Sequence, residues 1–421
     1  MVLPGPRQGL RSSVTLPTSK SLTNRALIAA AVADGGIVTS PLDCDDTRNL
    51  ARALTAAGWK IDWQQEIEIG GRTVPDGTVH IDIGDSGTGA RLLLGLLAAS
   101  PGHFVLDGSA RLRERPMAPL VESLSALGAE ISTDDGRLPM TIVGREMIGG
   151  QATIEPKVSS QFVTSLVLAA PLMKQGIDLQ VVGDLPSAPY LDLTEDVLRS
   201  FGGGVIVDNE RRWWRVAPGP LRLALYEVEG DWSAAAVMMA AVAVAGGQVE
   251  MGALEANTRQ GDRKIIEVLS GAGLQIDWRQ NYLAARGPVT APMVADLRDT
   301  PDLFPPLMVV ASCTPAGSRF TGLENLQHKE SDRLTVMVRN LGRLGAGITV
   351  RESEIEVHTP MRPTPGPSPR VTTSGDHRVA MAMAVAALSV GPLELDDPEC
   401  VSKSFPGFWE AWESLIGPGE G

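Results

Sequence analysis

Lys20, Arg25, Arg91 and Arg378 each fall within about two helical turns of a polar stretch that runs into an apolar, helix-forming segment. Those stretches read SKSLTNR from Ser19, DSGTGAR from Asp85 and DHRVAMA, which opens at Asp376. Lys329 and Arg333 lie four residues apart, the spacing that shares one helix face. Arg111, Arg113 and Arg115 crowd together ahead of Pro116, and Lys403 sits in SKSFPGF. A helix start presents unpaired N–H groups and a partial positive charge, so it favours anions. Ser, Thr and Asp at such places are also ordinary caps. Cations gathered there, in a chain whose formal net charge is -13, point to small polyanionic ligands.

Each motif has a plainer reading when taken singly. GDSGTGAR has the glycines of an anion loop but lacks the GK[ST] ending and the GxGxxG spacing, which makes nucleotide binding the lesser reading. SKSLTNR and SSQF read as caps, and HKESDR as a solvated helix face. GDHR reads as a structural salt-bridge node, with His377 a satisfied, non-catalytic histidine.

The elements that must carry these residues repeat along the chain. Amphipathic helices ending in glycine recur at Gly58, Gly128, Gly202, Gly273, Gly345 and Gly417, at intervals of 70 to 74 residues. Glycine suits the residue after a helix because it takes the left-handed conformation without a Cβ penalty. WKID, AEIS, VIVD, LQID and ITV follow five of these helices and read as strands. A second helix class keeps the same period, with starts at Ser19, Asp85, Ser159, Asp231, Thr300 and Asp376. The chain therefore reads as six units of two helices and several strands, grouped three and three. The junctions fall near Pro17–Ser19 and Val228–Asp231. They imply a discontinuous domain of 1–18 plus 230–421 and a second domain of 19–229. If the first strand packs with the C-terminal half, the chain crosses between domains twice.

Composition narrows the class. Of 421 residues, 43% are hydrophobic and 21% charged, as in ordinary globular proteins. Disorder is expected only at the ends and around 360–369. The acidic balance argues against nucleic acid or a membrane surface as partner. Cys44, Cys313 and Cys400 are far apart and form no CxxC pair, which reads as reduced thiols in the cytoplasm. The histidines show no metal-ligand spacing. Met1–Ser13 lacks the pattern of a signal peptide, and the longest apolar run, the 12 residues Ala234–Ala245, is too short for a bilayer.

Taken in order, the segments LPTSKSLTNRA, GDSGTGARLLLG, RLRERPMAPLV, KVSSQFVTSLVLAAPL, SAPYLDLT, DTPDLFP, NLQHKESDRL, SGDHRVAMA and SKSFPGF resemble the EPSP synthase family of enolpyruvyl transferases over essentially the whole chain. The resemblance implies a mixed α/β (α+β) fold of two similar domains, each of three βαβαββ repeats, with the active site in the interdomain cleft. It implies transfer of the enolpyruvyl group of phosphoenolpyruvate to the 5-hydroxyl of shikimate 3-phosphate, with release of phosphate, in the shikimate pathway. It also implies a monomer with no metal or organic cofactor, and glyphosate as an inhibitor. Carried over by motif, the shikimate 3-phosphate site takes Lys20, Ser21, Arg25, Ser159, Ser160, Gln161, Ser187, Tyr190, Asp302, Asn325 and Lys329. The phosphoenolpyruvate site takes Lys20, Gly87, Arg115, Gln161, Arg333, Arg378 and Lys403. Asp302 is the expected base, and Glu330 or Lys20 the acid that protonates the methylene carbon.

The chain departs from the family pattern at three places. Asp85 replaces a usual Asn, Thr18 a common Gly, and Leu92 a frequent Pro. A carboxylate at 85 would repel a phosphate unless it is turned away or paired. The sister transferase that acts on UDP-N-acetylglucosamine usually carries a reactive Cys before its Arg-Pro motif, and GSARLRERPM has none. A catalytically silent scaffold of the same fold would have lost the charged residues, which are all present.

Overall fold

The computed structural model describes residues 1–222, 225–280, 282–315, 317–363 and 366–417. Of the segments expected to be disordered, 364–365 and 418–421 lie outside the described residues. The chain forms two compact units, one of 1–17 with 230–421 and one of 18–229.

A helix that is apolar all round belongs inside a core. In the 18–229 unit three such helices, Lys20–Val32, Gly87–Ala98 and Gln161–Ala169, pack on one another. Every residue of these helices is buried except Ser21, Thr88 and Gln161, one at the start of each. The other unit repeats the plan with Trp232–Ala245, Phe304–Ala311 and His377–Val390. There the residues outside the core are Ser233 and Arg378 at helix starts, with Val244 and Ser389 near the far ends. The apolar run 234–245 is thus a core helix. Among the described residues no helix is long and apolar enough to cross a membrane.

Four of the six inner helices link two parallel strands, a connection that needs a crossover. Thr78–Asp82 pairs in parallel with Gly102–Asp107, which pairs antiparallel with Arg137–Gly144, and that in turn with Glu130–Asp134. The strand order is first, second, fourth, third, the βαβαββ unit that the family resemblance implies. Along Arg137–Gly144, Leu138, Met140 and Ile142 turn inward while Arg137, Pro139 and Thr141 are exposed, as suits a sheet with one solvated face. The six glycines read as helix stops all have positive φ, from 69° to 104° and 111°.

Three sheets take a strand from a distant part of the sequence. Leu225–Glu227 pairs in parallel with Gly36–Thr39 and serves as first strand for the helix Lys20–Val32. Leu10–Thr15 pairs in parallel with Gly247–Gly252 and does the same for Trp232–Ala245. In the sixth repeat Val2–Leu3 pairs antiparallel with Leu393–Leu395, in the place that the antiparallel fourth strand takes in the other sheets.

The Leu10–Thr15 pairing depends on Gly247, whose φ is +92° and whose added Cβ would sit 2.0 Å from the Leu10 carbonyl oxygen. Gly252, at the other end of that strand, has nothing within 4 Å of its added Cβ. Gly247→Ala should therefore cost more than about 2 kcal/mol of stability, while Gly252→Ala should leave stability unchanged or raise it by up to about 1 kcal/mol. Urea unfolding of both variants checks the contrast, and equal midpoints would contradict it.

Candidate active site

Within the 18–229 unit, the chemistry collects at the starts of the three inner helices. Lys20 opens the first, is 9% exposed, and its Nζ lies 2.9 Å from Asp46 Oδ2. Arg25 is one turn further in and 1% exposed. Its guanidinium donates to Thr194 Oγ1 at 3.0 Å, the Ser21 carbonyl at 2.9 Å and the Tyr190 carbonyl at 3.1 Å. All of these acceptors are neutral, and among the described residues no carboxylate pairs with it. Burial pushes Arg25 down to about 10, with Tyr190 and Tyr226 partly opposing the fall. It therefore keeps its proton and carries a charge that the protein does not neutralise.

The glycine-rich start of the second helix is shaped by close approach. A Cβ on Gly87 would lie 2.1 Å from an Arg115 terminal nitrogen and 2.7 Å from its Cζ, so only glycine lets the guanidinium lie against the helix end. Arg115 is 7% exposed, and its Nε has no hydrogen-bond partner among the described residues. Ser86 caps this helix through the Gly89 N–H, while Ser19 and Ser160 make no side-chain cap bond. Gln161 opens the third helix and is held at both ends: it donates to Thr88 Oγ1 at 2.8 Å and accepts from Arg91 at 2.6 Å. Ser160 beside it is buried and Ser159 half-buried. Ser187 takes φ 57°, a conformation non-glycine residues seldom adopt, and its carbonyl receives the Tyr190 N–H at 3.1 Å.

In the other unit the focus is Arg333, fully buried at 0% exposure. Its Nε and one terminal nitrogen donate to the two oxygens of Asp376, at 2.9 and 3.3 Å. Its remaining contacts are Asp302 at 2.8 Å and Glu330 at 2.9 Å. Arg378 reaches the second oxygen of Asp302 at 2.7 Å. Asp376 also accepts from Ser331 Oγ at 3.1 Å and caps the helix His377–Val390 through the Arg378 N–H at 3.0 Å. Burial alone would raise the Asp302 pKa, but Arg378, Lys329 and Arg333 outweigh it, so Asp302 stays well below the usual carboxylate range. Burial would likewise lower Arg333, and Asp376, Asp302 and Glu330 together hold it above its ordinary value. Lys403, 8% exposed, ends the short turn Glu399–Lys403, which packs on the helix His377–Val390. Asn325 lies half-buried in the turn Glu324–His328.

Several expectations change. HKESDR is not a solvated helix face, and Lys329 does not share a helix face with Arg333. Asp332 caps a helix through the Thr335 N–H at 3.2 Å, so the helix begins at Arg333 and Lys329 precedes it. The Arg111–Arg113–Arg115 cluster divides: Arg111 pairs with Glu114 at 2.7 Å and Arg113 with Asp107 at 2.6 Å on the surface, and Arg115 alone turns inward. GDHR is a salt-bridge node, with Asp376 as its centre. The inner helices expected to start at Asp85 and Ser159 begin two residues later, at Gly87 and Gln161. Asp85 is exposed and accepts the Ser109 hydroxyl, so it is one of the paired carboxylates. Sequence reasoning did not single out Asp46 or Asp376 as site partners, and it named Arg91 only among the cations near helix starts. The only local signal for Asp46 is an acidic pair in a helix's first turn, which reads as a favourable dipole contact.

The model of the EPSP synthase (3-phosphoshikimate 1-carboxyvinyltransferase) family matches residues 5–412. The 3-phosphoshikimate 1-carboxyvinyltransferase of Methanoculleus marisnigri is 40% identical over 410 residues, 94% of each chain. That of Methanospirillum hungatei is 35% identical over 420 residues, 96% of each. The solved structure of EPSP synthase from Acinetobacter baumannii superposes with a TM-score of 0.80 at 27% identity, covering 98% of both chains.

The Arg333 hub makes a prediction that needs no substrate. Arg333→Met strands buried carboxylates without their cation and should cost about 3–5 kcal/mol of folded stability. Asp85→Asn, at an exposed bond, should shift it by less than about 0.5 kcal/mol. Urea unfolding of the two proteins measures both, and a silent Arg333→Met would remove the hub.

Proposed function

The chain belongs to the EPSP synthase family, and on that premise we propose how its residues carry the family's reaction. It transfers the enolpyruvyl group of phosphoenolpyruvate to the 5-hydroxyl of shikimate 3-phosphate and releases phosphate. The observation that supports the residue roles best is Asp302, a carboxylate kept ionised between Arg378 and Arg333.

Asp302 takes the proton of the 5-hydroxyl as that oxygen bonds to the central carbon of phosphoenolpyruvate. A proton is added to the methylene carbon in the same step. Glu330 would have to be protonated to supply it, and its contact with Arg333 at 2.9 Å favours the anion. Lys20 is cationic beside Asp46 and needs no such change, so we assign the proton to Lys20. The tetrahedral intermediate then returns a methyl proton to Lys20, regenerates the double bond and expels phosphate, which leaves with the proton held by Asp302. Arg25, with Ser21, Ser159, Ser160, Gln161, Ser187, Tyr190, Asn325 and Lys329, holds shikimate 3-phosphate. The unneutralised charge of Arg25 suits the phosphate, since a charge-assisted hydrogen bond is about twice as strong as a neutral one. Gly87, Arg115, Arg333, Arg378 and Lys403 hold phosphoenolpyruvate. Positioned charge of this kind supplies much of such a rate, one donor being worth about 10²–10³ in turnover. The same reading makes the protein a cytoplasmic monomer inhibited by glyphosate, an anion that Arg115, lying against the bare Gly87, would help to hold.

Phosphate release that requires both substrates is the direct test, and its absence ends the reading. Asp302→Ala should lower kcat by about 10²–10⁴ and move the dissociation constant of shikimate 3-phosphate by less than about tenfold. Undiminished turnover would take the base role from Asp302. Gly87→Ala should push the flexible Arg115 aside, raising KM for phosphoenolpyruvate about tenfold, or about 1.4 kcal/mol, with no change in the melting temperature. A shift in melting temperature with KM unaltered would show that Gly87 serves packing alone.

A further inference from the structure

Asp262 lies in the turn Gly261–Lys264, is 3% exposed, and has no part in the roles assigned above. Its Oδ2 accepts the Ser233 hydroxyl, while Oδ1 has no hydrogen-bond partner among the described residues. The turn packs on the helix Trp232–Ala245, whose start brings Asp231 and Ser233 towards it. Asp302, from the turn Pro301–Leu303, and Arg378, from the helix His377–Val390, are near enough to act on it through their charges. The cations of its own turn are directed elsewhere. Arg263 lies over the Trp232 ring, 6.0 Å from its centroid, and Lys264 donates to the Asp296 carbonyl at 2.8 Å. Glu267 on the following helix is exposed.

We propose that Asp262 is a positioning residue of the transfer site, working in its neutral form so that Arg378 is left to Asp302 and to the anionic donor. The proposal rests on the transfer reaction given above. A buried carboxylate whose one partner is a hydroxyl has little to stabilise its charge. Burial first, and Asp302 second, push Asp262 up to about 7. Arg378 meanwhile makes its ion pair with Asp302 at 2.7 Å. If Asp262 ionises, it becomes a second anion competing for Arg378. That draws the guanidinium from Asp302 and adds a negative charge where phosphoenolpyruvate must bind. The sign follows directly: the site is competent below the Asp262 pKa and loses donor affinity as pH rises through it.

The test compares the wild type with Asp262→Asn, which mimics the neutral carboxyl, and Asp262→Ala, which removes it. Phosphate release is measured with both substrates between about pH 6 and pH 8.5. The quantity read is the ratio of kcat/KM for phosphoenolpyruvate, variant over wild type, in which titration of the substrates cancels. For Asp262→Asn the ratio should be near one at the acid end and rise by at least about threefold towards the alkaline end, chiefly through KM. Asp262→Ala should be slower than Asp262→Asn throughout. A flat ratio for Asp262→Asn overturns the proposal, as does an Asn variant that keeps the wild-type melting temperature but is as slow as Ala at the acid end. A wild type that releases no phosphate removes the transfer reaction itself, and the proposal with it. An active wild type with a flat ratio removes only the role of Asp262.

Discussion

A helix buried on every side can present polar groups only at its ends. That constraint governs both units. Each packs three helices against one another so tightly that, along the helices Lys20–Val32, Gly87–Ala98 and Gln161–Ala169, just one residue apiece lies outside the core. These are Ser21, Thr88 and Gln161, all in the first turn. The first turn is also where backbone N–H groups lack intrahelical partners and the helix dipole is positive. Core packing therefore leaves its few polar positions where a helix start favours an anion.

The two units meet this constraint with opposite electrostatics. In 18–229 the deeply placed Arg25 is surrounded by hydroxyl and carbonyl oxygens, which satisfy its donors without cancelling its charge. In the other unit Arg333 faces Asp376, Asp302 and Glu330 and is more than neutralised. A guanidinium with neutral partners remains an attractor for phosphate. One enclosed by carboxylates does something else: it makes a cluster of acids tolerable inside the protein, because a buried charge is stable only when paired. Arg333 thus has a structural duty whatever anion it also meets: it fixes the three carboxylates it holds in place.

The fold could be read from the sequence because its signals are local and periodic. Gly58 and its five successors punctuate each repeat through their own backbone conformation, and the apolar runs after Ser19 and Asp231 announce buried helices without reference to any partner. The partnerships in the site leave no such trace. Lys20 and Asp46 are 26 positions apart, and Arg333 and Asp376 are 43 apart. Each acidic partner sits at a helix start where an Asp already has an ordinary purpose, as Asp376 does in capping. Spacing misled at Lys329 and Arg333 because a cap at Asp332 starts the helix between them. The borrowed strand Val2–Leu3 was equally hidden, since two residues carry no period.

Asp302 and Asp262 show why burial alone does not decide the state of a carboxylate. Both are removed from bulk water, and in both that removal favours the neutral acid. Asp302 is faced by Arg378, Arg333 and Lys329, and their combined attraction overcomes the loss of hydration. For Asp262 burial and the neighbouring Asp302 raise its affinity for a proton, and Arg378 and the Ser233 hydroxyl oppose them only in part. Two like groups held close together resist ionising together, and the one that faces the cations keeps the charge. The ionised Asp302 therefore depends on a set of cations and also on the silence of its neighbour. A substitution that altered the charge at either position would be felt at the other without any movement of the backbone.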